Sequence, residues 1–134
     1  MRAVLFDSSV WIDFLNGRKS KTTDFLSAFL FKSSPVCLCP PVYREVLQGI
    51  KNNEDFIRLK TDFDHLDHLI MNPYDASLGA ANLYRFLRRK GVTIHKSVDC
   101  LIAFYAIHYK VPVVHNDHDF DLIAKYSELK VIKL

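Results

Sequence analysis

The chain has 134 residues with a formal net charge of +3, and 49% of its residues are hydrophobic while 25% are charged. This length suits one domain over residues 1–134, and this composition excludes an intrinsically disordered chain. No apolar run approaches the roughly 20 residues of a membrane-spanning helix, so no membrane anchor is expected. Asp7 and Asp13 interrupt the apolar stretch that an export signal requires, and we therefore expect a cytoplasmic protein.

Short apolar runs alternate with helical patterns along the first half of the chain, and this alternation predicts an α/β fold. Residues 3–6 and 36–39 predict buried strands, and each is followed by helical spacing of apolar residues. The helix after the first strand is expected to end at Gly17. The helix after the second strand is expected to begin at Pro41, which suits a first helical turn, and to continue to about Gly49.

The second half of the chain continues this alternation. Further strands are predicted over residues 69–71, 111–114 and 131–134. Further helices are predicted over residues 56–63, 75–91 and 122–126. Ser97 predicts the start of another helix, which is apolar nearly all round and therefore central to the fold.

Aromatic spacing and the cysteines predict buried positions. Five aromatic side chains at helical spacing are expected in the core rather than on an RNA-binding surface: Trp11, Phe25, Phe29, Phe56 and Phe63. The odd number of cysteines argues against a disulfide framework. Cys37 and Cys39 could form half of a metal site, but the chain has no second cysteine pair, so core packing is the simpler interpretation.

Four acidic residues fall where a parallel sheet would bring them to one edge. Asp7 and Asp117 follow predicted strands, and Glu45 and Asp99 lie in the first turns of predicted helices. The carboxyl ends of parallel strands share one edge of a sheet, so these acids could converge. Crowded carboxylates repel one another, and Mg²⁺ or Mn²⁺ would neutralise them. The pattern predicts metal-dependent phosphodiester hydrolysis, although each acid alone could be a helix cap or a turn residue.

Polar and basic side chains near these acids are candidates for binding an anionic substrate. The candidate substrate contacts are Ser8, Arg44, His115 and Asn116. A basic cluster, which could meet RNA phosphates or form a solvated helix end, consists of Arg85, Arg88, Arg89, Lys90 and Lys96. The sequence leaves both interpretations of this cluster open.

Three segments resemble the motifs of the PIN-domain family, in its VapC toxin type. DSSVWIDFL is similar to the opening strand motif, YREVLQGI to the helix that carries a glutamate, and SVDCLIAFYAIHYKVPVVHNDHDFDLIA to the long acidic C-terminal motif. The resemblance implies a three-layer α/β/α sandwich with a central, mostly parallel sheet. It also implies an endoribonuclease that depends on Mg²⁺ or Mn²⁺.

Transferred residue by residue, the resemblance implies a set of catalytic and metal-binding acids. These are Asp7, Glu45, Asp99 and Asp117, with Asp119 as a further ligand or an outer-shell residue. The departures are modest: Ser8 and His115 stand where the family commonly has threonine, and Pro40 and Pro41 where it often has serine or threonine. None of these departures removes an acid.

The resemblance further implies a homodimer that a VapB-like antitoxin holds inactive. The antitoxin would occupy a groove near the acids, with residues 23–31 and 56–63 as candidate walls. Two alternatives keep the fold: an RNA-processing nuclease without an antitoxin, and a catalytically silent binding module. A receiver-like signalling domain is disfavoured, because it needs paired acids after the first strand and AVLFDSS supplies one.

Overall fold

The computed structural model describes residues 2–134, and within them four short strands form one sheet. The strands are β1 (Val4–Phe6), β2 (Val36–Leu38), β3 (Asp67–His68) and β4 (Val113–Val114). They lie side by side in the order β3-β2-β1-β4, and each neighbouring pair is parallel.

Seven helices in the described residues connect and cover these strands. α1 (Ser8–Leu15) and α2 (Lys21–Phe31) link β1 to β2, and α3 (Pro40–Gln48) and α4 (Asn53–Asp64) link β2 to β3. α5 (Pro73–Arg89) and α6 (Val98–Tyr109) link β3 to β4, and α7 (Asp119–Tyr126) follows β4. The predicted three-layer α/β/α fold around a parallel sheet is therefore confirmed.

The core lies around β1 and α6. Leu5 and Phe6 of β1 are completely buried, because helices cover both faces of a parallel sheet and its inner strands are apolar throughout. α6 buries Ile102, Ala103 and Tyr105, as expected of a helix that is apolar nearly all round. Because α6 also carries Asp99, its packing in the core fixes one of the predicted site residues.

Local sequence signals determine where several helices begin. Pro40 and Pro41 occupy the first turn of α3, where a missing backbone N–H costs nothing. Ser20 and Thr23 form a reciprocal capping box at the start of α2. Asp7 caps α1 by accepting the backbone N–H of Ser9, so the acid that ends β1 also starts the next helix.

Two predicted strands were wrong. The third strand pairs through Asp67 and His68 instead of residues 69–71, since it lies exposed at the sheet edge and an apolar pattern does not mark it. Residues 131–134 do not form a strand and make one isolated parallel bridge, between Val131 and Val113.

Two predictions about single residues also need correction. Phe56 was predicted in the core, but its side chain is 37% exposed, because it lies in the first turn of α4 at a distance from the buried Phe63. Ser97 precedes α6 as predicted, but its backbone is helical and its side chain makes no capping hydrogen bond. α7 begins at Asp119, three residues earlier than predicted.

The three cysteines are buried with free thiols. Burial raises the pKa of Cys39 to about 12 and that of Cys100 to about 11, so both thiols stay protonated near neutral pH. The cysteines therefore pack as small apolar side chains, as the simpler interpretation predicted. Within residues 2–134, no helix has the length and apolar character needed to cross a membrane.

Candidate metal centre

Three carboxylates from two chain segments lie closest together in the described residues. Asp99 is in the first turn of α6, Asp117 lies in the loop after β4, and Asp119 begins α7. One oxygen of each carboxylate lies within 4.8 Å of the others. Asp99 and Asp119 are buried, whereas the side chain of Asp117 is 21% exposed. The three residues are named here the acidic cluster.

Backbone hydrogen bonds hold the acidic cluster in place. The Asp119 N–H donates to Asp117 Oδ1 at 3.0 Å, and the His95 N–H donates to Asp119 Oδ2 at 2.9 Å. The carbonyl of Lys96 accepts the Asp99 N–H at 3.0 Å. The main chain of the loop before α6 therefore binds two members of the cluster, Asp119 through the His95 N–H and Asp99 through the Lys96 carbonyl.

Asp7 and Glu45, the other two predicted acids, form a second group that Ser8 joins. Ser8 Oγ donates to Glu45 Oε1 at 2.9 Å and lies 3.5 Å from Asp7 Oδ1. Asp7 Oδ2 accepts hydrogen bonds from the Ser9 N–H and hydroxyl. The charge of Asp7 raises the pKa of Asp99, so this second group acts electrostatically on the acidic cluster.

The electrostatics of the acidic cluster fit a site for a hard cation. Burial, the hydrogen bond to Asp117 and the charge of Asp7 raise the pKa of Asp99 to about 8. Burial would also raise the pKa of Asp117. Hydrogen bonds from the Asp119 N–H and from Asp99, together with the charge of Lys96, outweigh burial and hold the Asp117 pKa below its usual range. Asp99 Oδ2 is buried and has no hydrogen-bond partner among the described residues. A buried, unpartnered carboxylate oxygen in a cluster of three carboxylates suits Mg²⁺ or Mn²⁺.

Lys96 places one cation at the solvent-exposed side of the acidic cluster, next to Asp117. Its Nζ lies 3.4 Å from Asp117 Oδ2, and its side chain is 58% exposed. Burial alone would lower the Lys96 pKa, but the charges of Asp99, Asp117 and Asp7 raise it, so the ammonium stays charged. The sequence places Lys96 in the basic cluster and does not show this contact, although its position three residues before Asp99 is consistent with it.

The candidate substrate contacts lie in different environments. Ser8 is 6% exposed and bound to Glu45. Both ring nitrogens of His115 are engaged: Nδ1 accepts the Asp117 N–H at 3.0 Å, so Nε2 carries the hydrogen and donates it to Asp121. His115 therefore supports the Asp117 backbone from inside the protein.

Asn116 and Arg44 complete this set. Asn116 Nδ2 donates to Asp13, and Asn116 Oδ1 accepts from Thr22, so this side chain ties α1 to α2. Arg44 is exposed at a groove of about 520 Å³ between α5 and α6. Of the four candidates, Arg44 combines an exposed position with a permanent positive charge, which suits contact with an anionic ligand.

The profile of the PIN domain matches residues 4–126. The chain therefore belongs to the PIN-domain family, as its three motifs predicted. Similar proteins include the VapC ribonuclease Mb1587 of Mycobacterium bovis and ribonuclease VapC11 of Mycobacterium tuberculosis, each 30% identical over 128 residues. Each alignment covers 95% of this chain and 96% of the relative.

Solved structures share the fold at lower sequence identity. VapBC2 from Rickettsia felis, bound to a DNA fragment from its promoter, matches with a TM-score of 0.74 at 18% identity. The DNA-bound VapBC from Salmonella typhimurium matches with a TM-score of 0.72, also at 18% identity. Each match covers 98% of both chains, and at this identity it establishes the fold.

Proposed function

We propose that the protein is a single PIN domain over residues 1–134 that cleaves RNA with a bound divalent metal, as the toxin of a toxin–antitoxin pair. The observation that carries this proposal is Asp99 Oδ2, a buried oxygen without a partner in the described structure, on a carboxylate that clusters with those of Asp117 and Asp119. The ribonuclease names of two relatives at 30% identity support the same activity.

The proposed ligands of Mg²⁺ or Mn²⁺ are Asp7, Glu45, Asp99 and Asp117, with Asp119 as a further ligand or an outer support. A bound divalent cation would activate water and stabilise the charge that develops on the phosphate. Ser8 keeps Glu45 beside Asp7 through its hydroxyl, and the Asp119 N–H fixes the orientation of Asp117. In this proposal the protein positions carboxylates and needs no side-chain nucleophile.

The site residues are tested by cleavage of a structured RNA pool by the purified chain in Mg²⁺, in Mn²⁺ and in chelator. Asp99→Asn is compared with Asp62→Asn, which makes the same change at an exposed position of α4. We expect metal-dependent cleavage by the wild type and by Asp62→Asn, and a loss of about 100-fold or more in Asp99→Asn. Cleavage in chelator, or full activity of Asp99→Asn, would contradict the proposal.

We also propose a VapB-like antitoxin as inhibitor, a homodimer as the assembly and the cytoplasm as the location. The structural neighbours are VapBC complexes, which supports the antitoxin. Grooves of about 130 and 310 Å³ flank α1, beside α2 and α4 respectively. Leu15 of α1 lines the larger of these grooves and is 41% exposed. These grooves support residues 23–31 and 56–63 as antitoxin-binding walls.

The toxin role needs an experiment in cells. Expression of the chain alone should arrest growth, and co-expression of a small protein encoded next to it should restore growth. Growth without arrest, together with RNA cleavage in vitro, would favour a processing nuclease without an antitoxin. Metal binding without cleavage of any RNA in vitro or in cells would favour a silent binding module.

A further inference from the structure

Lys96 is held beside the acidic cluster by its main chain as well as by its charge. Ile94 is 3% exposed and anchors the loop in the core, and the next residue donates its backbone N–H to Asp119. The carbonyl of Lys96 accepts the Asp99 N–H. These contacts hold the backbone around Lys96 in place. The position of the ammonium therefore depends on the conformation of the flexible Lys96 side chain.

The Lys96 side chain contacts a carboxylate of the acidic cluster and is also exposed to solvent. Its ammonium lies 3.4 Å from Asp117 Oδ2, yet more than half of the side chain is exposed. Asp117 is also the most exposed member of the acidic cluster. A ligand that approaches the cluster from solvent on this side therefore meets Lys96 and Asp117 together.

We propose that Lys96 is a built-in counter-cation of the acidic cluster, which opposes binding of a divalent cation and binds a phosphate of the substrate. The part about phosphate rests on the proposed function. Two cations at one group of carboxylates repel each other, so the lysine weakens metal affinity. The same ammonium attracts a phosphate that approaches the metal site, since a lysine acts on phosphate as a compact point charge.

If the pair of Lys96 and Asp117 were only a structural surface ion pair, removal of the lysine would have a different effect on metal affinity. Exposed pairs of this kind contribute little to stability, and losing one would leave metal affinity unchanged or lower it. The counter-cation role predicts the opposite change in metal affinity. Removal of the lysine charge should tighten metal binding and at the same time impair the reaction with RNA.

The test compares full-length wild type with Lys96→Met, which keeps an unbranched stem without the charge, and Lys96→Arg, which keeps the charge. Lys51→Met is the matched control, because Lys51 is exposed in the segment between α3 and α4 and belongs to neither the acidic cluster nor the basic cluster. Mn²⁺ affinity is measured by electron paramagnetic resonance and calorimetry. We expect Lys96→Met to bind Mn²⁺ about tenfold more tightly, and the other two variants to match the wild type.

The second readout is the salt dependence of RNA cleavage at saturating Mn²⁺. Loss of one phosphate contact should lower kcat/KM and reduce the slope of log kcat/KM against log salt by about 0.7. Circular dichroism verifies that each variant is folded. An Mn²⁺ affinity of Lys96→Met equal to or weaker than that of the wild type overturns the counter-cation role, and an unchanged slope overturns the phosphate contact. If the wild type cuts no RNA, the proposed function and the phosphate contact fail, while the Mn²⁺ titration still decides the counter-cation role.

Discussion

The substitution Asp99→Asn tests whether one buried carboxyl group makes the stability of the protein depend on pH. Asp99 is 2% exposed, and burial, the hydrogen bond to Asp117 and the charge of Asp7 raise its pKa to about 8. Asparagine has nearly the same shape and can still donate a hydrogen bond to Asp117. It carries no proton that a change of pH can remove, so the variant isolates the titration of Asp99.

The expected effect follows from the protons bound by the native and unfolded states. Between the ordinary pKa of 3.8 and about 8, native Asp99 keeps a proton that the unfolded chain has released. The free energy of unfolding therefore falls as pH rises through this window, by about 1.4 kcal/mol per pH unit for one proton. From pH 5 to pH 7, the wild type should lose about 3 kcal/mol relative to the variant.

Urea unfolding in chelator, followed by circular dichroism at pH 5, 6 and 7, measures this difference. The two proteins share every other side chain, so contributions from groups that do not interact with Asp99 cancel when the two free energies are subtracted. Mn²⁺ at 100 times its Kd should then stabilise the wild type by about 2.7 kcal/mol and the Asp99→Asn variant far less. Parallel pH profiles of the two proteins in chelator would refute the reasoning, because Asp99 would then be ionised throughout the range.

Two further predictions concern packing and orientation. Gly79→Ala should destabilise the protein by about 1–2 kcal/mol in thermal unfolding, because the new Cβ would lie 2.1 Å from the Phe104 ring. Gly49→Ala is the control, since its Cβ has room, and it should be neutral or slightly stabilising. Ser8→Ala should lower kcat about tenfold or more and change Tm little, because Glu45 loses the hydroxyl that orients it; an unchanged kcat would contradict this role.

The parts of the fold that could be predicted depend on local signals. The apolar run of β1 and the proline-led start of α3 determine their elements within a few residues. Asp7 directly follows β1, and Glu45 lies in α3. The edge of the sheet could not be predicted in this way. β3 is exposed on both residues, so its pairing with β2 depends on the neighbouring strand and not on an apolar pattern of its own.

The same distinction applies to the candidate site. Acids that end strands or begin helices could be placed at the sheet edge, because parallel strands share one direction. The ion pair of Lys96 with Asp117 joins residues 21 positions apart, and the hydrogen bond from His115 to Asp121 depends on the turn between β4 and α7. Such contacts arise from tertiary structure, and a linear pattern does not contain them.

Cys100 is the neighbour of Asp99 in the chain, and its burial has a consequence for redox chemistry. The thiol is 1% exposed and its pKa is raised to about 11, so at pH 7 only about one molecule in ten thousand carries a thiolate. Peroxide and alkylating reagents attack the thiolate, and Cys100 in the native protein therefore reacts slowly with both. Alkylation of Cys100 would instead measure how often the centre of the molecule opens to solvent.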